Sequence, residues 1–257
     1  MPAPSLRRNP MSGLTVNVIG RKDPPEAESV TAALAARSLQ FLRELDPVFD
    51  VDFYQTVGDP LPDGAGVEQA LGSNIRQILV PPTEESIEAA LVERRRSPDA
   101  TDGVYPLSLP RHMTLYSDAG DVRVVISFGG TSGAGAFVCA FADESLISLS
   151  LKLVQGLTDI WDSRVTVLYR RTESSPQYNV PGDAIVGSCT YFAPELPIKE
   201  TQLPPSVEAF PYQDGTIVIQ KNLSTPLAAE DIRSIRAAAG LPTERPDIHI
   251  PKGFRRL

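Results

Sequence analysis

The residues with the most chemical promise are few, and each is tested by what its chemistry would need around it. The string Gly129-Gly130-Thr131-Ser132-Gly133-Ala134-Gly135 comes after a strand-like run, the usual place for a loop that cradles phosphate. A P-loop also needs Gly-Lys followed by Ser or Thr, because the lysine carries the charge that meets the phosphates, and no lysine stands here. A dinucleotide loop needs a helix next, whose N-terminus holds the pyrophosphate. The next residues are AFVCAF, a strand pattern, so the string reads as a hairpin turn.

Proton transfer near neutral pH falls to His112 and His249, the two histidines of the chain. His112 lies in a strand-like run and His249 in a tail without periodicity, and neither has the neighbours of a triad or a zinc site. No serine sits in a Gly-x-Ser-x-Gly elbow. Asp50 and Asp52 have the spacing by which a strand end can hold a divalent metal between sugar-nucleotide phosphates, but no nucleotide-binding βαβ pattern accompanies them. Cys139 and Cys189 fall in apolar, strand-like strings and read as buried reduced thiols. The expectation is therefore no catalytic residue, no metal and no cofactor.

One aromatic stands out. Trp161 is the single tryptophan and sits between Asp159 and Asp162 at a helix end. It either completes the core stripe of that helix or, as an aromatic flanked by acids, forms a hot spot for a basic protein partner. With Asp59 and Asp63 of a Gly/Pro-rich loop, these residues make the candidate partner-binding set: Asp59, Asp63, Asp159, Trp161 and Asp162.

Periodicity gives the secondary structure that carries these residues. Leu14 to Gly20 alternates as a strand. Asp23, Pro24 and Glu26 then have the types of an N-cap, first-turn proline and third-residue acid. The helix they open carries the stripe Val30, Leu34, Phe41, Leu45 until Asp46-Pro47 stops it. Residues 56 to 66 read as an exposed loop, 67 to 78 as a short helix, and Thr83 as the cap of a helix burying Ile87 and Leu91. Arg94 to Arg96 close that helix, where cations suit its negative end better than they argue for phosphate binding.

From residue 111 the period is two. Arg111 to Tyr116 and Val122 to Phe128 form a hairpin, and Ala136 to Phe141 a third strand. Asp143 caps a helix with the stripe Leu146, Leu149, Leu153, Leu157 and Ile160. Gly156 inside it costs about 1 kcal/mol against alanine, so packing must hold that turn. Strands come next at Arg164 to Tyr169 and Ile185 to Phe192, then a proline-rich crossing from Pro194 to Pro211. A turn at Asp214-Gly215 leads into Thr216 to Gln220, and Thr225-Pro226 opens a last helix closed by Gly240. Paired strands interleaved with helices specify an α+β fold, a mainly antiparallel sheet with helices on one face. Residues 13–242 are expected to form one domain between tails 1–12 and 243–257, and Met1 and Met11 are both admissible starts.

The chain has 257 residues, 42% of them apolar, and a net charge of −8. That is enough apolar material for a core, and the charge opposes a nucleic-acid-binding surface while suiting a basic protein partner. No apolar run is long enough for a membrane span. The N-terminal ten residues lack the apolar block of a secretory signal, so the cytoplasm is the expected location.

Four segments carry a family resemblance: FLRELDPVF (41–49), LVQGLTDIWDSRVTVLY (153–169), VGSCTYFAPELP (186–197) and DGTIVIQKNLSTPLAAEDIRSIRAAAGLP (214–242). Together they resemble the immunity protein 52 family of bacterial polymorphic-toxin systems. The family pattern has a Gly-Trp pair ahead of the position of Tyr191, whereas here Gly187 is followed by Ser188 and Cys189. The resemblance implies a non-enzymatic cytoplasmic antidote that binds a cognate toxin carrying a restriction-endonuclease-like nuclease domain, delivered between competing bacteria, for instance by a type VI secretion system. Two other classes stay open: a nucleotide-dependent or other small-molecule enzyme using 129–135 or Asp50 and Asp52, and an adaptor or chaperone for a secreted effector.

Overall fold

The computed structural model describes residues 13–20, 27–58, 75–96, 111–128, 136–174, 177 and 184–243. Ten strands form one sheet in the order β3-β2-β4-β5-β6-β1-β7-β8-β10-β9: β1 Leu14–Gly20, β2 Phe53–Gly58, β3 Ile75–Leu79, β4 Arg111–Ser117, β5 Val122–Phe128, β6 Phe137–Phe141, β7 Ser163–Arg170, β8 Cys189–Phe192, β9 Val207–Tyr212 and β10 Gly215–Gln220. Every neighbouring pair runs antiparallel. The helices are α1 Glu28–Leu45, α2 Glu84–Arg96, α3 Ser150–Trp161, the single turn α4 Arg171–Ser174, and α5 Ala229–Ala238. The fold class is α+β, as the periodicity requires.

Two cores lie on opposite faces of the sheet, and strand alternation divides the residues between them. Cys189 and Tyr191 of β8, with Ile217 and Ile219 of β10, join Leu14, Val16 and Val18 of β1 in the larger core beneath α1, α2 and α3. Phe192, next after Tyr191, and Val218, between Ile217 and Ile219, point the other way and pack with Ile232, Ile235 and Ala239 of the α5 segment. Three long helices thus share one face, while α5 covers the opposite face at the β8-β10-β9 end. Among the described residues, no helix is long and apolar enough to cross a membrane.

Several local expectations hold for the reasons given. Asp143 accepts from the Ser145 N–H at 2.8 Å and starts a 3-10 turn that runs into α3. The Thr83 hydroxyl accepts from the Ser86 N–H, and Ile87 and Leu91 are fully buried. Gly156 is explained by packing: a Cβ there would stand 2.2 Å from Cζ of Phe41, so the ring of α1 occupies the space a side chain would take. Gly240 adopts φ +68. Beside it the Leu241 N–H bonds the Arg236 carbonyl and the Gly240 N–H that of Ala237, which is a Schellman closure.

Other expectations are corrected. α1 fully buries Thr31, Ala32, Ala35, Ser38, Leu39 and Leu42; of the expected stripe, Leu34, Phe41 and Leu45 are half-buried against the same core and Val30 is exposed. The contact of α1 with α3 is made by Ser38, which accepts from the Trp161 indole, and by the Phe41 ring over Gly156. The cap residues Asp23 to Glu26 lie outside the described residues, and the described helix starts after Ala27. β2 runs through Gly58 where composition predicts a loop, and 75–79 is a strand paired with β2, not the end of a helix. The crossing from Pro194 contains an edge strand, β9, that its composition hides. Its Pro211 has no N–H to offer and sits where proline is tolerated, at the sheet edge. α5 begins after Ala228, a turn later than Thr225-Pro226 suggests.

Candidate functional site: an acidic end of the sheet

At one end of the sheet, α3 terminates beside the β9–β10 turn. Asp162 closes the helix in the left-handed region, φ 45, which lets the chain reverse straight into β7. In the turn, Tyr212 pairs with Gly215, so Gln213 and Asp214 are its two central residues, and Gln213 takes φ 51. The turning pair is therefore one residue earlier than Asp214-Gly215. Gly215 is required by proximity, since a Cβ would meet the Phe192 carbonyl oxygen at 2.2 Å.

Two tyrosines tie this turn down. The Tyr212 hydroxyl donates to Asp159 Oδ1 at 2.8 Å, and the Gln213 side-chain amide donates to the same oxygen. Tyr191, wholly buried, donates through its hydroxyl to Asp214 Oδ1 at 3.1 Å. The two rings meet edge to face at 6.2 Å. Desolvation first, then the hydrogen bond and negative charge of Asp159, push the Tyr212 phenol up to about 12. It remains a protonated donor throughout the physiological range.

The arrangement leaves Asp159, Asp162 and Asp214 exposed together, with Glu195 exposed just beyond β8 and Arg164 exposed on β7. α3 has no basic residue in its last turn, so the carboxylates add to the negative end of its macrodipole instead of compensating it. That charge layout does not stabilise α3. Carboxylates gathered at one end make the local potential more negative.

Trp161 does not belong to this surface. It is 7% exposed, its indole N–H donates to Ser38 Oγ at 2.7 Å, and its ring packs against Phe137. It completes the α3 stripe as a member of the main core. Asp59 and Asp63 lie outside the described residues, as do His249 and the glycine string 129–135. The remaining chemical candidates are dispersed. Asp50 sits 3.7 Å from Arg43 Nε, and among the described residues no three potential ligands gather for a metal. The His112 ring contacts Ser127 Oγ at 2.9 Å. Both cysteines are free and buried; burial pushes the Cys139 thiol up to about 12 and raises that of Cys189 as well.

A buried ionic node has no counterpart in the sequence reading. Glu173 of α4 accepts from the backbone N–H groups of Arg170, Ser188 and Leu227 and from the Ser188 hydroxyl. Arg170 Nη1 lies 3.4 Å from Glu173 Oε1 and also reaches Ser188 Oγ and the Thr225 carbonyl, while Nη2 bonds the Leu223 carbonyl. This network joins β7, the segment before β8 and the segment before α5, and so fixes the far side of the β8-β10 layer. Its partners come from positions up to 55 residues apart, which no local spacing encodes.

No family model matches the chain, and no curated protein matches it. Among solved structures it is similar to a Pseudomonas aeruginosa T6SS protein at 13% identity, covering 89% of this chain and 72% of that one, with a TM-score of 0.44.

Proposed function

We propose that this protein is a stoichiometric inhibitor, an immunity protein that binds and blocks a basic toxin domain of the nuclease type, and that its own side chains make and break no bonds. The observation that carries this reading is the acidic end formed by Asp159, Asp162 and Asp214 around the C-terminus of α3. A nuclease groove must be basic to hold phosphates, and carboxylates on a rigid frame are attracted into the same field. The four-segment resemblance to the immunity protein 52 family supports the reading independently of the charge. An inhibitor of this sort needs roughly 1,600 Å² of total interface with a few anchoring residues, and it needs neither cofactor nor metal. Its place of action on this reading is the cytoplasm, where the toxin's nucleic-acid target lies, and its context is competition between bacteria through a polymorphic-toxin or type VI secretion system.

The experiment is co-expression with the product of the adjacent gene. Restored growth together with a co-purifying one-to-one complex is the expected result. A toxin that still kills, with no complex recovered, would overturn the proposal, as would turnover of a metabolite by the purified protein that a single substitution abolishes.

A further inference from the structure

The two edges of the sheet are built differently. β9 carries exposed Glu208 and exposed Pro211, the devices by which natural sheets blunt an edge. β3, the opposite edge, reads IRQIL, with the single charge of Arg76 and without proline or carboxylate. Of the four exposed large apolar side chains among the described residues, three lie at this end: Ile78 at 43%, Leu79 at 49% and Tyr116 at 39%. Leu79 opposes Tyr54, and Tyr54 opposes Tyr116, so Leu79, Tyr54 and Tyr116 form one row across three strands on the face away from α1 and α2.

The ladder fixes which backbone groups point outward. The Val80 N–H donates to the Phe53 carbonyl at 2.8 Å, one step beyond the Tyr54–Leu79 pair. In an antiparallel ladder that marks Tyr54–Leu79 as a non-hydrogen-bonded pair. The N–H and C=O of Leu79 therefore point away from β2, and by alternation so do those of Gln77 and Ile75.

We propose that β3 is a self-association edge, where a second copy of this chain adds its own β3 antiparallel across a two-fold axis at Gln77. The strand is self-complementary in that register. Gln77 faces its symmetry mate as a hydrogen-bonded pair, and its side-chain amide offers both a donor and an acceptor to an identical amide. Position 75 pairs with position 79 of the other copy on either side of the axis, again through outward backbone groups, and the exposed row of Leu79, Tyr54 and Tyr116 continues across the new ladder. No carboxylate lies on β3, and in this register position 76, the one charged residue, pairs with position 78 of the other copy and not with its own mate, so the chain's net negative charge is kept off the shared strand pair. The shared ladder spans about 17 Å, a small interface, and the association belongs in the micromolar range.

Sedimentation velocity of the full chain at low and high micromolar concentration tests this. The wild type shifts from monomer to dimer with concentration. Gln77→Pro removes the outward N–H at the axis while costing the β2 ladder nothing, and it weakens association by roughly tenfold or more with an unchanged circular dichroism spectrum. Leu79→Lys, which places a charge on the exposed edge, does the same and serves if the proline variant folds poorly. A wild type that stays monomeric over the whole range overturns the proposal, and so does a dimer that persists in both variants.

Discussion

Trp161 and Ser38 lie 123 residues apart in sequence, yet the indole N–H of one donates to the hydroxyl of the other at 2.7 Å inside the core. Ser38 passes the bond on, donating to the Leu34 carbonyl one turn back in α1. This pair is the polar rivet between α1 and α3 and sets how α3 lies, and so where its acidic end is presented. Ser38→Ala leaves a buried indole N–H without an acceptor, at a cost of about 1–3 kcal/mol. Urea unfolding followed by the fluorescence of the single tryptophan measures it directly. An unchanged midpoint would mean that the helix pair is held by apolar packing alone.

The Arg170–Glu173 node makes a larger prediction. Glu173 is 1% exposed and satisfies three backbone N–H groups besides the guanidinium. Glu173→Ala strands the buried cation and those donors together, and breaking a buried pair in this way costs about 3–5 kcal/mol. Replacing both Arg170 and Glu173 by apolar residues of similar volume should cost less than the single change, because no buried charge is left behind. Chemical denaturation of the two variants in parallel decides it; equal losses would show that the stranded guanidinium carries no cost of its own.

Tyr212 gives a pH dependence with a definite sign. Its phenol titrates near 10 in the unfolded chain and is pushed up to about 12 in the fold. Between those values the unfolded state has lost the proton that the native state keeps, so this group's contribution to stability is intact below about pH 10 and declines as pH rises through about 12. Tyrosinate absorbance should show a late-titrating phenol that Tyr212→Phe removes. Because desolvation is the leading cause and Asp159 the second, Asp159→Asn moves that step down only part of the way. A complete return to the ordinary value would reverse the ranking of the two causes.

What local pattern can encode was legible, and what depends on distant partners was not. The β4–β5 hairpin, β6, the Asp143 cap and the α3 stripe all come from period and cap chemistry among near neighbours in the chain. β3 and β9 are short edge strands without clean alternation, one ending close to Pro81 and the other containing Pro211, and they exist because a neighbouring strand offers a ladder. The fully buried face of α1 is hard to read because it mixes the small residues Ala32, Ala35 and Ser38 with Leu39 and Leu42, and the role of Ser38 depends on Trp161, 123 residues away. At the site, Asp159 and Asp162 could be picked as acids around a helix end. The indole between them continues the Leu153 and Leu157 stripe inward, and that spacing is the signal that Trp161 faces the core. The link from Asp159 to Tyr212 and Gln213 spans 53 and 54 residues and has no local signature.

The acidic end itself can be tested by changes that remove charge and keep shape, because Asp159, Asp162 and Asp214 are all exposed while Asp159 and Asp214 also accept hydrogen bonds that hold the turn. Asp162→Asn and Asp214→Asn remove charge at the rim while an amide oxygen remains to accept from the Tyr191 hydroxyl, asparagine suits the left-handed φ of position 162, and the Tyr212–Asp159 bond stays in place. Electrostatic steering acts on the encounter, so the double variant should associate with the proposed toxin partner more slowly, by roughly tenfold at low ionic strength, with little change in dissociation. Salt should narrow the gap between variant and wild type, since charges separated by more than about 8 Å are screened near 0.15 M. Stopped-flow mixing over a salt series separates the two rates. An association rate that ignores both the substitutions and the salt would place the contact elsewhere on the molecule, since no surface that meets a basic groove through its charge can be indifferent to losing it.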